Sequence, residues 1–335
     1  MIFRKKPHAE LSSIRWDAHG CPPFTIGADL SFLHRYRNAG INIVTINIGF
    51  DLTTQCESLE LLRYFHQWIH QHNNEFAIVE DVKKLIESKE KNKLSIAFDI
   101  EGCNLLNGNI QMLAHYYSLG VRQMAFAYNT NNAAGGGCLD ANIGLTNFGK
   151  QLVNECNDIG MLIDCSHVGH QTSMDIIELS KHPVIFSHSN PAKLVSHPRN
   201  ITDEQILACA KKGGVIGING IGIFLGHNDI RTERIVEHID YVAQLVGPKH
   251  VGVGLDCVFN PAEIKNFANN NPEIFPSQHG FGDVKVAQPE QFSEISELLA
   301  LRHYSEDDIN NILGENFLRI AKVVWRVNGS LQKKL

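Results

Sequence analysis

The sequence predicts an α/β protein whose strands close into a (β/α)8 barrel of the TIM type, with additional C-terminal helices. Three observations favour this fold class. Short runs rich in Val and Ile recur along all 335 residues, helical patterns separate them, and a hydrophobic content of 43% suits one large core. Alternating strands and helices indicate βα units around a parallel sheet, and this length suits a single barrel.

Eight apolar runs are predicted as the barrel strands. They cover residues 13–19, 41–48, 94–101, 121–128, 161–167, 184–190, 214–220 and 250–256. Helices are predicted between them over residues 59–70, 110–119, 147–159, 173–181, 203–212 and 232–246. The "TDEQ" segment beginning at Thr202 is typical of a capping box. A doubly wound open sheet is the alternative, but no GxGxxG motif follows the first strand to support it.

Two segments lie outside this alternation, within a single domain predicted to span residues 1–335. Residues 260–288 are rich in Asn, Pro, Gly and Gln, which predicts a long loop near the barrel mouth. Residues 289–327 return to helical periodicity and are predicted as the C-terminal helices, with Gly314 as a break between two of them.

Composition argues against several classes of partner. The formal net charge of −6 comes from 30 basic and 36 acidic residues mixed along the chain, so nucleic acid is not an expected partner. No apolar run is long enough to span a membrane, and no secretory signal is recognised. The eight cysteines lie far apart without a CxxC pair, which favours a reducing cytoplasm. A homodimer is left open.

The chemistry is predicted from polar residues at the C-terminal ends of the predicted strands. Because these ends converge on the barrel mouth, side chains distant in sequence are expected to meet there. A single such histidine is usually an ordinary rim residue, but the coincidence of five residues favours a site. The five residues are His19, Glu101, His167, His188 and Asp256.

This set of three imidazoles and two carboxylates suits zinc or a similar divalent ion. Glu101 could bridge two ions, which would share and acidify a water, and Asp256 could accept and return the proton. Asp17 and Asp164 precede His19 and His167 closely. Each is either a hydrogen-bond acceptor for an imidazole or a strand residue paired with the backbone, and neither is counted as a ligand.

At these positions the chain resembles the membrane (renal) dipeptidase family of metallopeptidases. The resemblance covers nearly the whole chain, in the stretches "WDAHG", "FDIEG", "IDCSHVG", "PVIFSHSNP", "HPRNITD" and "GENFLRI". It implies a barrel of the metallo-dependent hydrolase type with a binuclear zinc site. His19 and the bridging Glu101 would hold one zinc, and Glu101 would hold the other together with His167 and His188.

The resemblance also implies roles for two further residues. Asp256 would manage protons at the bridging water, and Arg199 in "SHPRN" would bind the free carboxylate of the substrate. A planar guanidinium suits that task. Without the resemblance, Arg199 is predicted to be a surface or structural cation.

Two positions depart from the family pattern. Cys21 stands where the family commonly has an aspartate that binds the first zinc. It is either a thiolate ligand or a buried thiol, and the second alternative leaves the first metal site weak or empty. Tyr128 stands where these dipeptidases have a substrate-binding histidine, and its hydroxyl could donate to an oxyanion without bringing a positive charge. The alternative role of Tyr128 is a barrel-rim aromatic.

The resulting prediction is a cytoplasmic zinc-dependent dipeptidase that hydrolyses small dipeptides by means of metal-activated hydroxide. The resemblance also implies tolerance of a D-residue at the C-terminal position. An alternative on the same barrel is another metal-dependent amide, N-acyl-amino-acid or lactone hydrolase. An alternative of a different class is a catalytically silent binding protein, for which Cys21 and Tyr128 are the motivation.

Overall fold

A closed ring of eight parallel strands forms the centre of the computed structural model, which describes residues 13–326. The strands of the described chain are β1 Trp16–Cys21, β2 Ile43–Phe50, β3 Phe76–Ile78, β4 Leu94–Glu101, β5 Val121–Ala125, β6 Leu162–Asp164, β7 Ile185–Phe186, β8 Val215–Ile218, β9 Val251–Val253 and β10 Cys257–Val258. The ring runs β1-β2-β4-β5-β6-β7-β8-β9 and closes where Asp17 pairs with Val253. The predicted (β/α)8 barrel is confirmed.

All eight predicted runs contain a strand of the ring, but five of these strands, β5 to β9, end before the predicted runs do. β6 ends at Asp164 and β7 at Phe186, because the chain leaves the sheet to form the barrel mouth. Two short strands were not predicted. β3 pairs only with β4, along the first three residues of that strand, and β10 pairs with the end of β1.

Nine α-helices of the described chain lie between successive strands, and four follow the last strand. They are α1 Leu33–Asn38, α2 Gln55–Gln71, α3 Val82–Glu90, α4 Met112–Ser118, α5 Asn147–Ile159, α6 His170–Leu179, α7 Asp203–Lys211, α8 Gly222–Leu225, α9 Thr232–Val246, α10 Pro261–Asn270, α11 Gln291–Leu301, α12 Glu306–Asn310 and α13 Asn316–Val324. The capping box predicted at Thr202 is present, with Gln205 as its reciprocal partner. No helix within residues 13–326 combines the length and the apolar character needed to cross a membrane.

Helix α13 covers the end of the barrel opposite the mouth. Phe317 of α13 belongs to the same apolar cluster as Ile43 and Val215, the first residues of β2 and β8. Gly314 lies at a kink before α13, where a side chain would be 2.3 Å from the carbonyl oxygen of Ile14. Glycine therefore permits the close approach of this segment to the chain entering β1.

The segment over residues 260–288 is not a loop throughout. It contains α10, with Pro261 in the first turn, where a missing N–H costs no helical hydrogen bond. Beyond α10 the segment lies across the mouth: Asn129 donates to the Ile274 carbonyl oxygen at 3.4 Å, and Val286 bridges to Ile221. The abundance of Asn and Pro obscured the helix in the sequence.

Candidate metal centre

The five predicted strand-end residues meet at the barrel mouth. Glu101 Oε1 lies 3.3 Å from His167 Nε2 and 3.3 Å from His188 Nε2. The other oxygen, Oε2, lies 3.8 Å from His19 Nε2, which in turn is 3.7 Å from Asp256 Oδ1. The three histidines and Glu101 are buried, and Asp256 is partly exposed. The two oxygens of Glu101 therefore face different groups of imidazoles.

Hydrogen bonds define which nitrogen of each of two histidines carries the proton. His167 Nδ1 lies 2.7 Å from Asn129 Oδ1, an acceptor, so this nitrogen donates. Ser187 donates its hydroxyl to Asp164 and therefore accepts from His188 Nδ1 at 2.6 Å. Each Nε2 is therefore unprotonated and directs its lone pair into the site.

These lone pairs are placed so that they could hold a cation. The Nε2 atoms of His167 and His188 lie 3.0 Å apart, and Glu101 Oε1 beside them is buried without a hydrogen-bond donor among the described residues. Burial, assisted by the charge of Arg199, holds the pKa of His167 well below its ordinary value, so the imidazole is neutral as a ligand must be. The donor set fits a zinc-like ion held by two imidazoles and a carboxylate oxygen.

The third histidine, His19, belongs to a second group of possible metal ligands. His19 Nδ1 lies 2.8 Å from Asp99 Oδ2, which leaves Nε2 directed at the mouth. Burial alone would lower the pKa of His19, but Asp99 and Glu101 outweigh it and raise the pKa well above its ordinary value. This position therefore favours positive charge, and a bound cation would take the place of the proton.

Cys21 lies within this second group of possible metal ligands and is only half-buried. Its Sγ is 3.5 Å from His19 Nε2 and donates to Asp256 Oδ1 at 3.2 Å. The ligand atoms of His19, Cys21 and Asp256 all lie within 4.8 Å of one another, as do those of His19, Glu101 and His188. Burial, followed by the charge of Asp256, raises the pKa of the thiol, so a metal ion would have to displace its proton.

The sequence left open whether Asp17 and Asp164 support imidazoles or pair with the backbone, and the structure gives a different answer for each. Asp17 accepts from the Leu255 backbone N–H at 2.8 Å and does not hold the His19 ring; burial raises its pKa to about 7. Asp164 accepts from the Ser187 hydroxyl and so supports His188 rather than His167. Asp99 was missed, although its position two residues before Glu101 in "FDIEG" places both on one face of β4.

Two strand amides join the carboxylates into one network. Asn47 Nδ2 donates to Asp99 Oδ1 at 2.8 Å and to Glu101 Oε2 at 3.1 Å. Gln123 Nε2 donates to Asp164 Oδ2 at 3.2 Å. Sequence reasoning missed both residues, because an amide within an apolar strand carries no signature of its role.

We expect Asp99→Asn to weaken zinc binding about 10- to 100-fold, because the substitution removes the charged acceptor that orients His19. Calorimetric titration of metal-stripped protein with zinc measures this change. Asp17→Asn is the matched control, since Asp17 is equally buried and bonds to the backbone. Equal zinc affinities for the two variants would contradict a specific role for Asp99.

Arg199 is buried beside the metal centre rather than exposed as a surface cation. Its Nη1 donates to Ser189 Oγ and its Nη2 to the His188 carbonyl oxygen, both at 2.9 Å. Its Nε is buried without an acceptor among the described residues. No ion pair within residues 13–326 includes Arg199, so this buried charge has no carboxylate partner there.

Tyr128 lies against the metal centre. Its ring stacks on the His167 ring with centroids 4.2 Å apart, and its backbone N–H donates to Asp51 Oδ2 at 3.0 Å. Three residues here, Asn129, His167 and Asp256, have left-handed backbone conformations with φ of 61°, 65° and 57°. Such conformations cost about 1–3 kcal/mol each and persist where the surrounding structure holds them.

Comparisons with known proteins identify the family of this chain. Residues 44–272, more than half of the chain, match the family model described as membrane dipeptidase, peptidase family M19. Two uncharacterized dipeptidases of Schizosaccharomyces pombe are each 29% identical, over 83% and 72% of this chain. The matches cover 65% and 56% of the yeast proteins, so this chain spans less than two thirds of their length.

Solved structures show the same fold. An amidohydrolase from Pseudomonas aeruginosa is 26% identical, with a TM-score of 0.86 over 93% of this chain and 97% of that chain. A metallo peptidase from Rhodobacter sphaeroides, liganded with a phosphinate mimic of L-Ala-D-Ala, is 18% identical, with a TM-score of 0.77 over 94% and 100% of the two chains. The chain belongs to the membrane dipeptidase family of metallopeptidases, peptidase family M19, whose membership implies a metal ion.

Proposed function

We propose that the protein is a zinc-dependent dipeptidase that holds two ions across Glu101. The observation that carries this proposal is the placement of Glu101, with one oxygen toward His167 and His188 and the other toward His19. When bound, the ions would polarise the scissile carbonyl and lower the pKa of a water molecule. Family membership supports the proposal.

Asp256 is the residue that we propose to move the proton. Asn219 Nδ2 holds its Oδ2 at 3.0 Å, while Oδ1 faces the mouth beside His19 and Cys21. Because the carboxylate is partly exposed, it can reach both a water molecule and the leaving amine. Asp256 would accept a proton from the attacking water and donate it to the amine nitrogen.

Arg199 is the residue that we propose to bind the C-terminal carboxylate of the dipeptide. Two of its five N–H groups are used, on Ser189 and on the His188 carbonyl oxygen, which holds the guanidinium in place. Its remaining N–H groups and its unpaired charge suit a carboxylate supplied by the substrate.

We expect Arg199→Lys to lower kcat/KM for L-Ala-L-Ala by about 10- to 100-fold, the range for lost hydrogen bonds to a charged group. The C-terminal amide of the same dipeptide, which lacks the carboxylate, is the control substrate and should respond little. Equal responses of the two substrates would contradict carboxylate binding and favour another amide or lactone hydrolase.

We also propose that Cys21 is a ligand of the ion beside His19. Wild-type protein should then bind two zinc ions and Cys21→Ser fewer than two, as measured by elemental analysis. In cobalt-substituted protein, the sulfur-to-cobalt absorption band should disappear in this variant. Cys56→Ser, which changes an exposed thiol, is the control. Two zinc ions and no sulfur band in wild-type protein would show that Cys21 is not a ligand.

The test of the whole proposal combines metal analysis with a panel of dipeptides that carry L- or D-residues at the C-terminal position. Dipeptides with a C-terminal D-residue are included because the Rhodobacter sphaeroides protein is liganded with a phosphinate mimic of L-Ala-D-Ala. Bound metal with dipeptide turnover is the expected result. A protein that binds no zinc and hydrolyses no dipeptide would overturn it.

We also propose that the protein works in a reducing compartment. All eight cysteines are free thiols, which supports this proposal.

A further inference from the structure

A pocket lined by aromatic rings opens beside the metal centre. This pocket, called the aromatic pocket below, encloses about 130 Å³, and Cys21 and Glu101 also contribute to its wall. Its rings form a continuous group: Phe50 lies 5.1 Å from Phe24, 4.9 Å from Tyr128 and 5.3 Å from Phe267, between centroids. Phe275 completes the group at 5.7 Å from Phe267.

The aromatic pocket and Arg199 lie on opposite sides of the mouth. Phe50 is the last residue of β2, whereas Arg199 bonds to His188, which follows β7. In the ring order β2-β4-β5-β6-β7, these two strands are four positions apart among eight. A dipeptide with its carboxylate at Arg199 and its amide at Glu101 therefore directs its N-terminal residue toward the aromatic pocket.

The lining of the aromatic pocket selects for an apolar group. None of the described residues that line it is positively charged, and its one carboxylate, Glu101, is committed to the metal centre. A charged side chain would be desolvated there without a partner, whereas an aromatic ring gains both burial and favourable ring contacts. The volume is close to that of an engineered cavity of roughly 150 Å³ that binds benzene.

We propose that the aromatic pocket binds the side chain of the N-terminal residue and makes the protein selective for dipeptides that begin with an aromatic or large aliphatic residue. This inference rests on the proposed dipeptidase function and adds its substrate class. Phe267 lies on α10 and Phe275 follows it, so part of the specificity comes from the segment outside the barrel.

The test compares zinc-loaded protein on Phe-Ala, Leu-Ala, Gly-Ala, Lys-Ala and Glu-Ala. We expect kcat/KM for Phe-Ala to exceed that for Gly-Ala by about tenfold or more, since even small apolar differences in a pocket give about 10- to 200-fold discrimination. Lys-Ala and Glu-Ala should not exceed Gly-Ala. Similar values for all five dipeptides would overturn the inference and leave the dipeptidase function standing.

Substitutions of residues that line the aromatic pocket test whether the pocket causes the selectivity. Phe275→Ala should lower kcat/KM for Phe-Ala about tenfold and that for Gly-Ala less than twofold. Phe24→Ala should show the same selective loss, and because Phe24 is 36% exposed, this variant carries little risk of misfolding. Phe148→Ala, on α5 outside the barrel, is the matched control and should leave the ratio unchanged. Equal losses for both dipeptides would contradict the proposal.

A binding measurement separates failure of this inference from failure of the proposed function. Calorimetry on the Asp256→Asn protein as purified, in which turnover should be slow, should give a dissociation constant for Phe-Ala about tenfold below that for Gly-Ala, with the difference abolished by adding Phe275→Ala. If the wild-type protein hydrolyses no dipeptide but this difference is present, the catalytic function fails and the ligand class stands. Equal binding of the two dipeptides would overturn the ligand class.

Discussion

Replacing Glu101 with Gln should reduce kcat/KM for dipeptides by about 10³-fold or more. Lewis-acid stabilisation by metal ions supplies several kcal/mol, and each 1.36 kcal/mol corresponds to a factor of ten. Among the described residues, Glu101 is the one whose two oxygens face His19 on one side and His167 and His188 on the other, so the change should affect both proposed ions. Metal content should fall together with activity, and elemental analysis beside steady-state kinetics measures both.

Folding and metal loss can be separated in this variant. Burial raises the pKa of Glu101 well above its ordinary value, so ionised Glu101 destabilises the metal-free fold at neutral pH. Neutral Gln avoids this cost, and metal-free Glu101→Gln should melt no lower than metal-free wild type. Added zinc should raise the melting temperature of the wild type much more than that of the variant. A variant that retains two ions and full activity would refute the bridging role.

Asp256→Asn should lower kcat for dipeptides by about 10²- to 10⁴-fold while the metal remains bound. This is the range for removing a general acid or base, because an amide can neither accept nor return the proton. The substitution preserves the shape of the side chain next to Asn219. Steady-state kinetics with parallel metal analysis checks the prediction.

The control for Asp256 is Asp158→Asn, which changes an aspartate on α5 that pairs with Lys181 at the surface. It should leave both kcat and metal content unchanged. Two results would contradict the proton-transfer role. A fall in kcat of less than tenfold would show that Asp256 is dispensable, and loss of an ion would show that it is a ligand instead.

Strand β4 contains one feature that its sequence predicts and one that it does not. "FDIEG" predicts a buried strand that ends in a carboxylate, and both features are observed. The bond between Asp99 and His19 joins β4 to β1, which are not neighbours in the ring. A pattern within one strand cannot show such a contact, so the sequence left the role of Asp17 open and gave no sign of the bond made by Asp99.

Cys21 and the segment over residues 260–288 also show that contacts between distant parts of the chain decide what the sequence leaves open. The sequence left open whether Cys21 is a ligand or a core thiol, because either suits the end of an apolar strand. Its half-buried position beside His19 and Asp256 depends on where β9 and β10 lie relative to β1. Likewise, the rings of Phe267 and Phe275 become part of a pocket only once that segment packs across the mouth.

The sequence by itself determined the barrel and the positions of its strand-end residues, because hydrophobic periodicity and strand length are local properties and the carboxyl ends of parallel strands share one mouth. Only the tertiary structure decided which imidazole nitrogens face the site, which aspartate supports which histidine, and which rings surround the substrate. Those features depend on distances between residues far apart in the chain, such as the 3.0 Å between the Nε2 atoms of His167 and His188.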